Sequence, residues 1–195
     1  MRQPIFDMER WQSRYENSVR CNLSDSGVLP FTLREFCRFA GVDPAEVEFG
    51  YGSTEGTPAL RERVAALYPG AEPDEVLITT GSAEANFLAL WRLVEAGDRV
   101  VVVQPTYGQT PGLAKGLGAE VVPLFLERAH GWQPAPGAAA ATITPGTRLV
   151  VVTNPNNPTG AVLSDAARGE IVAAAEAAGA WILADEVYAG AEIEG

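Results

Sequence analysis

The stretch "DRVVVVQPTYGQTPGLAKGLGAEVVPLFL", residues 98–126, holds two nearly uninterrupted apolar runs separated by a short segment with the residue types of a helix. A strand wetted on one face alternates apolar and polar side chains, whereas a strand covered on both faces has no reason to. Residues 98–103 and 119–126 therefore read as strands of a parallel sheet, joined through a loop and a helix over 110–118. Outward from this unit the pattern repeats. "TRLVVVT" (147–153) reads as another strand, "SDAARGEIVAAAEAAG" (164–179) as a helix, and "AWILAD" (180–185) as the last strand. Upstream, "EVLITT" (75–80) reads as a strand and "SAEANFLALWRLVEAG" (82–97) as a helix closed by Gly97. The alternation predicts an α/β fold with three layers, a mostly parallel sheet between helices.

Before residue 74 the order is looser. A helix is expected over 31–41 and a better one over 57–70, with Thr57 as N-cap and Pro58 in its first turn, while residues 1–30 read as an extended arm. Residues 1–48 are accordingly separated from a domain spanning 49–195. The Ala- and Pro-rich stretch 134–146 reads as a connector, and there is no internal repeat.

Composition removes several function classes. The chain of 195 residues is 47% hydrophobic, enough to bury a core. Its net charge of −11 repels phosphate backbones, and the fourteen basic residues are scattered, which argues against nucleic acid. No apolar run approaches membrane-spanning length and "MRQPIFDMERW" has no signal-peptide core, so a cytoplasmic protein is expected. Cys21 and Cys37 lack CxxC spacing and read as reduced structural thiols. The single histidine, His130, lies in a loop-like stretch with no GxSxG elbow to serve, and zinc sites rich in histidine are excluded.

Ligands of parallel sheets bind at the carboxyl ends of the strands, which is where the unusual residues fall. In "WILADEVY" (181–188) an apolar run leads straight into Asp185 and Glu186, and a carboxylate at the end of a buried strand needs a partner, expected to be cationic. "TTGSAEAN" puts Gly81, Ser82 and Ala83 between strand and helix, where free N–H groups and the helix dipole suit a phosphate; Gly-Ser is equally an ordinary N-cap, and both readings stand. Tyr107, between Pro105 and Gly108, can cover a flat ring or simply pack at the rim. In "NPNNPTG" (154–160) two X-Pro bonds stiffen the loop that carries the Asn156 and Asn157 amides. A phosphate cradle, a ring-covering aromatic, a fixed amide and a carboxylate together suit an aromatic ligand with a phosphate at one end and a basic nitrogen at the other. Pyridoxal 5'-phosphate has that form. The glycine-rich "GYGSTEG" has G-x-G-x-x-x-G spacing after a poor strand, which sets a dinucleotide loop aside.

"TTGSAEA", "PTYG", "NPNNPTG" and "ADEVY", in this order and at these intervals, resemble the class I/II aminotransferases, pyridoxal-phosphate enzymes of fold type I. The likeness runs from about Gly50 to Gly190. The opening "MERWQSRYENSVRCNLSDSGV" also resembles a subgroup of the family that includes capreomycidine synthase. The resemblance implies that Asp185 pairs with the pyridine nitrogen, that Tyr188 and Asn157 share the ring's phenolic oxygen, that Tyr107 stacks on the ring, and that Ser82 and Ala83 offer backbone N–H groups to the phosphate. It implies further that Tyr51 reaches the phosphate of a neighbouring subunit in a homodimer, and that Gly27 lines a substrate pocket. Amino acids and 2-oxo acids would be the substrates.

One departure from the family stands out. The only lysine in the sequence is Lys115, on the segment after Tyr107, where the family has no lysine bonded to the cofactor, so Lys115 reads as a solvated helix residue. In the family that lysine follows the "DEVY" strand by a few dozen residues. The chain is therefore expected to be the front half of an enzyme, a truncated large domain with no catalytic residue of its own. Under that expectation "EVLITT" loses the strands that would flank it. Three functions follow: an aminotransferase; another reaction of the same carbanion, elimination or cyclisation; or a non-catalytic remnant, or one half of a split enzyme that a separate C-terminal chain completes.

Overall fold

The computed structural model describes residues 4–48 and 50–191, and Phe49 in "FGYGSTEG" and the last four residues of the sequence lie outside them. The chain divides into two compact units, Asp7–Thr79 and a larger one formed by residues 80–191 with the described residues ahead of Asp7. The larger unit is a five-stranded sheet. Its strands are β1 (Arg99–Gln104), β2 (Glu120–Glu127), β3 (Gln133–Pro134), β4 (Thr147–Thr153) and β5 (Trp181–Asp185), in the order β3-β2-β1-β4-β5. All neighbours are parallel except β2 and β3.

The valine runs do what an all-apolar strand requires. Val101 and Val103 of β1, with Val150 and Val152 of β4, pack on one side against Ala139 and Ile143 from α6 (Ala138–Thr142) and its C-cap, and against Ile171 and Ala175 of α7 (Asp165–Ala178). Their alternates Val100, Val102, Leu149 and Val151 pack on the other side, with Leu90 of α4 (Ser82–Leu93) and Leu113 and Ala114 of α5 (Gln109–Leu117). The period of two is intact, but both faces are apolar because helices cover both. Local signals set the ends of α7: the Ser164 hydroxyl accepts from the Ala167 N–H at 3.2 Å, and Gly179 closes the helix at φ 66°.

The unit Asp7–Thr79 holds α1 (Asp7–Tyr15), α2 (Leu33–Ala40) and α3 (Pro58–Ala65). Here the sequence reading needs its corrections. The expected arm over 1–30 contains α1, in which Trp11 and Tyr15, one turn apart, bring their ring centroids to 5.4 Å. The expected strand 75–80 is not formed. Pro73–Glu75 is a 3-10 turn, and residues 76–79 carry no ladder; Ile78 gives its N–H to the Glu55 carbonyl instead. An apolar run becomes a strand only by pairing with another, and residues 76–79 pair with none of the described strands. The helix begun at Ser82 ends at Leu93 rather than 97, because Val94 is already extended and Asp98 caps the turn that follows through the Glu95 N–H. The connector 134–146 holds α6 and part of β3. Finally, the strand expected to be buried ahead of Asp185, β5, is the edge of the described sheet, with Trp181 58% and Ile182 38% exposed.

Candidate functional site

Four loops meet at the carboxyl ends of β1, β4 and β5 and at the start of α4. Two threonines tie the first two strand ends together, Thr106 Oγ1 lying 3.1 Å from Thr153 Oγ1. The paired asparagines beyond β4 then take different roles. Asn156 is buried and structural: its Nδ2 donates to the Pro105 carbonyl at 3.0 Å, and its Oδ1 accepts from the Thr159 hydroxyl at 2.8 Å. Asn156 thus holds the loop after β4 to the loop carrying Tyr107. Asn157 points elsewhere, donating from Nδ2 to Tyr188 Oη at 2.9 Å. An amide N–H₂ and a phenol so placed can both donate to one oxygen of a bound ring.

Asp185 ends β5 and is half-buried. Its Oδ1 accepts from the Val187 N–H at 3.1 Å and its Oδ2 from Asn86 Nδ2 at 2.8 Å. The expected cation is therefore not a side chain of the described residues. Both oxygens are met by uncharged donors. A carboxylate accepts about four hydrogen bonds, so room for a cationic N–H remains. Glu186, next in sequence, is exposed and escapes the burial problem.

Gly81 takes φ 81°, a conformation glycine reaches without cost, and turns the chain into α4. Ser82 and Ala83 are the first residues of that helix, exposed, with N–H groups too early for an intrahelical partner. The Thr80 N–H is taken by Glu84 Oε2 at 2.6 Å. Tyr107 is half-buried and meets Phe6 in a T-shaped contact, ring centroids 4.9 Å apart and planes at 69°. Gly108 is what allows this, since a Cβ there would stand 2.6 Å from Phe6 Cε2.

The sequence reading passed over Asn86 and Gln109. Asn86 is only 5% exposed and closes the stretch "TTGSAEAN", where a polar residue on the apolar face of the helix is the one signal that could have found it; Gln109 carries no such signal. Tyr51 and Gly27 belong to the unit Asp7–Thr79. There Tyr51 is fully exposed, and Gly27 donates its N–H to Asp25 Oδ1 at 2.8 Å. Lys115 is exposed on α5.

Comparison with known proteins identifies the family. The family model "Aminotransferase class I and II" matches residues 37–195. Valine–pyruvate aminotransferase of Mycobacterium tuberculosis is 36% identical over 153 residues, covering 76% of this chain and 39% of the relative. Capreomycidine synthase of Streptomyces vinaceus is 36% identical over 179 residues, covering 87% of this chain and 45% of the relative. A crystal structure of a PLP-dependent aminotransferase from Streptococcus suis matches with a TM-score of 0.88 and 36% identity, over 95% of this chain and 52% of that one. The chain spans about half the length of the relatives it matches.

Proposed function

The chain belongs to the class I and II aminotransferases, and from that premise we propose that it is the cofactor-binding part of a pyridoxal-phosphate enzyme acting on amino acids and 2-oxo acids. The observation that carries this is the Asn157–Tyr188 pair, 2.9 Å apart, with Tyr188 three residues of chain beyond Asp185. One end of this pocket donates hydrogen bonds and the other bears a negative charge, which suits a ring with a phenolic oxygen on one side and a protonated nitrogen on the other. The donor set fits pyridoxal phosphate: Asp185 would hold the ring nitrogen, Asn157 and Tyr188 the phenolic oxygen, Tyr107 one ring face, and the Ser82 and Ala83 amides the phosphate. When bound, that cofactor supplies a protonated ring that accepts the electron pair released at the α-carbon of an amino acid. Asp185 would stabilise the positive charge of that ring, and the stiff loop after β4 would hold Asn157 in place beside it. A homodimer, with Tyr51 reaching the neighbouring phosphate, belongs to the same reading. So does a cytoplasmic location, with which the absence of a membrane-length apolar helix among the described residues is consistent.

A second reaction, elimination or cyclisation from the same carbanion, is favoured by one observation: the match to capreomycidine synthase covers more of the chain than the match to valine–pyruvate aminotransferase. The cofactor reading common to both is tested by titrating the chain with pyridoxamine 5'-phosphate, which has no aldehyde to react with stray amines, and following ring fluorescence. Saturable one-site binding is expected. Asp185→Asn is expected to weaken it by roughly tenfold or more, the scale of a hydrogen bond to a charged group. Unchanged affinity in that variant would remove Asp185 from the site.

A further inference from the structure

We propose that Asn86 and Gln109 form a directional hydrogen-bond relay, anchored on the Ala83 carbonyl, that fixes the orientation of the Asp185 carboxylate as acceptor for the ring nitrogen of the cofactor; this rests on the cofactor reading above. Three distances carry the proposal. Gln109 Nε2 donates to the Ala83 carbonyl at 2.8 Å, Asn86 Nδ2 donates to Gln109 Oε1 at 3.3 Å, and the same Nδ2 donates to Asp185 Oδ2 at 2.8 Å.

The direction of the relay follows from its anchor. A backbone carbonyl can only accept, so the end of the Gln109 amide that faces Ala83 must be the NH₂. The oxygen of Gln109 is thereby turned toward Asn86, and an oxygen there calls for a donor. The Asn86 NH₂ group has two hydrogens and two acceptors in reach, Gln109 Oε1 and Asp185 Oδ2, so both are used. Asp185 Oδ2 is left with one role, to accept. With the Val187 N–H on Oδ1, both oxygens are held in place as acceptors. Every donor in the set is neutral, so the negative charge of Asp185 is kept whole for a cationic ring nitrogen.

The reason for a relay rather than a direct cation is in this arrangement. An arginine or lysine on Asp185 would hold the carboxylate as firmly but would cancel the charge that keeps a proton on the ring. Amides orient without neutralising. Asn86, on the second turn of α4, and Gln109, the first residue of α5, are positioning residues, since each acts on the cofactor only through Asp185. The relay also joins Asp185 to Ala83, one of the two residues expected at the phosphate, so both ends of the cofactor are referred to a single helix.

The test uses pyridoxamine 5'-phosphate labelled with 15N in the ring, whose chemical shift separates protonated from neutral pyridine. Asn86→Leu keeps the side chain's approximate shape and removes the donors. It is expected to lower affinity roughly tenfold, the effect of losing a bond to a charged acceptor, and to move the ring 15N signal toward the neutral form, because a carboxylate no longer held by Asn86 meets the ring N–H less closely. Gln109→Leu is expected to lower affinity a few-fold, and to have no further effect in the Asn86→Leu background. A Gln109→Leu effect of the same size in both backgrounds, or an unshifted 15N signal in Asn86→Leu, overturns the relay. If Asn86→Leu does not fold, judged by near-ultraviolet circular dichroism, Gln109→Leu alone decides, and unchanged affinity overturns the proposal. Loss of binding in Asp185→Asn with none in the relay variants removes the relay and leaves the cofactor reading standing. No effect of Asp185→Asn, or no binding by the unaltered chain, removes both.

Discussion

Asn86 and Asp185 lie 99 residues apart in sequence and 2.8 Å apart in space, and that contrast separates what a sequence discloses about this site from what it conceals. Asp185, Tyr188, Asn157 and Tyr107 stand out as candidates because each sits just beyond an apolar strand or in a loop stiffened by proline, where residue type and position coincide. Asn86 lies in α4, marked only by being polar on an apolar face, and Gln109 begins α5 with nothing local to distinguish it from a surface amide. Phe6 was equally hidden: a lone aromatic ahead of α1 gives no hint that it packs on Tyr107. That contact allows a prediction. Gly108→Ala places a methyl 2.6 Å from the Phe6 ring, so Phe6 must move or the loop must shift, and overpacking of this kind costs about 1–3 kcal/mol. The cost should appear in urea unfolding and should largely vanish when Phe6 is also replaced by alanine; an equal cost in both backgrounds would mean the clash is relieved some other way. A second prediction concerns Lys115. Exposed on α5 and apart from the residues gathered around Asp185, it should form no stoichiometric adduct when the chain is treated with pyridoxal phosphate and borohydride, as mass spectrometry of its peptide would reveal.

Elements were read best where their determinants are local. The strand Thr147–Thr153 matches the apolar run residue for residue, and α7 begins and ends at the serine and glycine that cap it. Elements were misread where the determinant lies elsewhere in the chain. Residues 75–80 have the composition of a strand, yet a strand is a relation between two segments, and none of the described segments pairs with them. The short α1 escaped notice for the opposite reason, having no capping residue or glycine stop to announce it. In α2 the caps are complete: Thr32 Oγ1 accepts from the Glu35 N–H at 3.2 Å, while Glu35 Oε2 accepts from the Thr32 N–H at 2.9 Å and from its hydroxyl at 2.7 Å. These bonds, the hydroxyl's first, hold the Glu35 carboxyl below its ordinary value. The folded value is thus lower than the unfolded one, so the cap contributes above the unfolded value and is lost as pH falls through the folded one. Amide exchange at Thr32 and Glu35, once corrected for the intrinsic rate, should quicken across that acidic window in the native protein and show no such step in Glu35→Gln. An unchanged step in the variant would assign the titration to another group.

At the scale of the molecule, what the sheet covers and what it leaves open are unequal. Val100 through Val103 and Leu149 through Val151 are almost wholly enclosed, whereas β5 presents Trp181 and Ile182 along an edge whose backbone groups have no further strand to meet. Phe87 and Trp91 of α4, stacked with centroids 5.8 Å apart, are exposed as well, as is Leu77 at 54%. Unpaired edges with apolar side chains are templates for association, and net stability is only about 5–15 kcal/mol, so the enclosed strands and the open ones should not share one fate. The prediction is a graded opening. Hydrogen exchange should find β1 and β4 protected to the limit set by global unfolding, with β5 protected far less and residues 76–79 hardly at all, because the first two have ladder partners on both sides and the last have none. Sedimentation of the chain at rising concentration should show association, and replacing Ile182 with lysine, which charges the edge without touching the buried clusters, should suppress it. A monomer at all concentrations with β5 as protected as β1 would mean that the edge finds cover in solution, and that the order β3-β2-β1-β4-β5 is not the whole of the sheet.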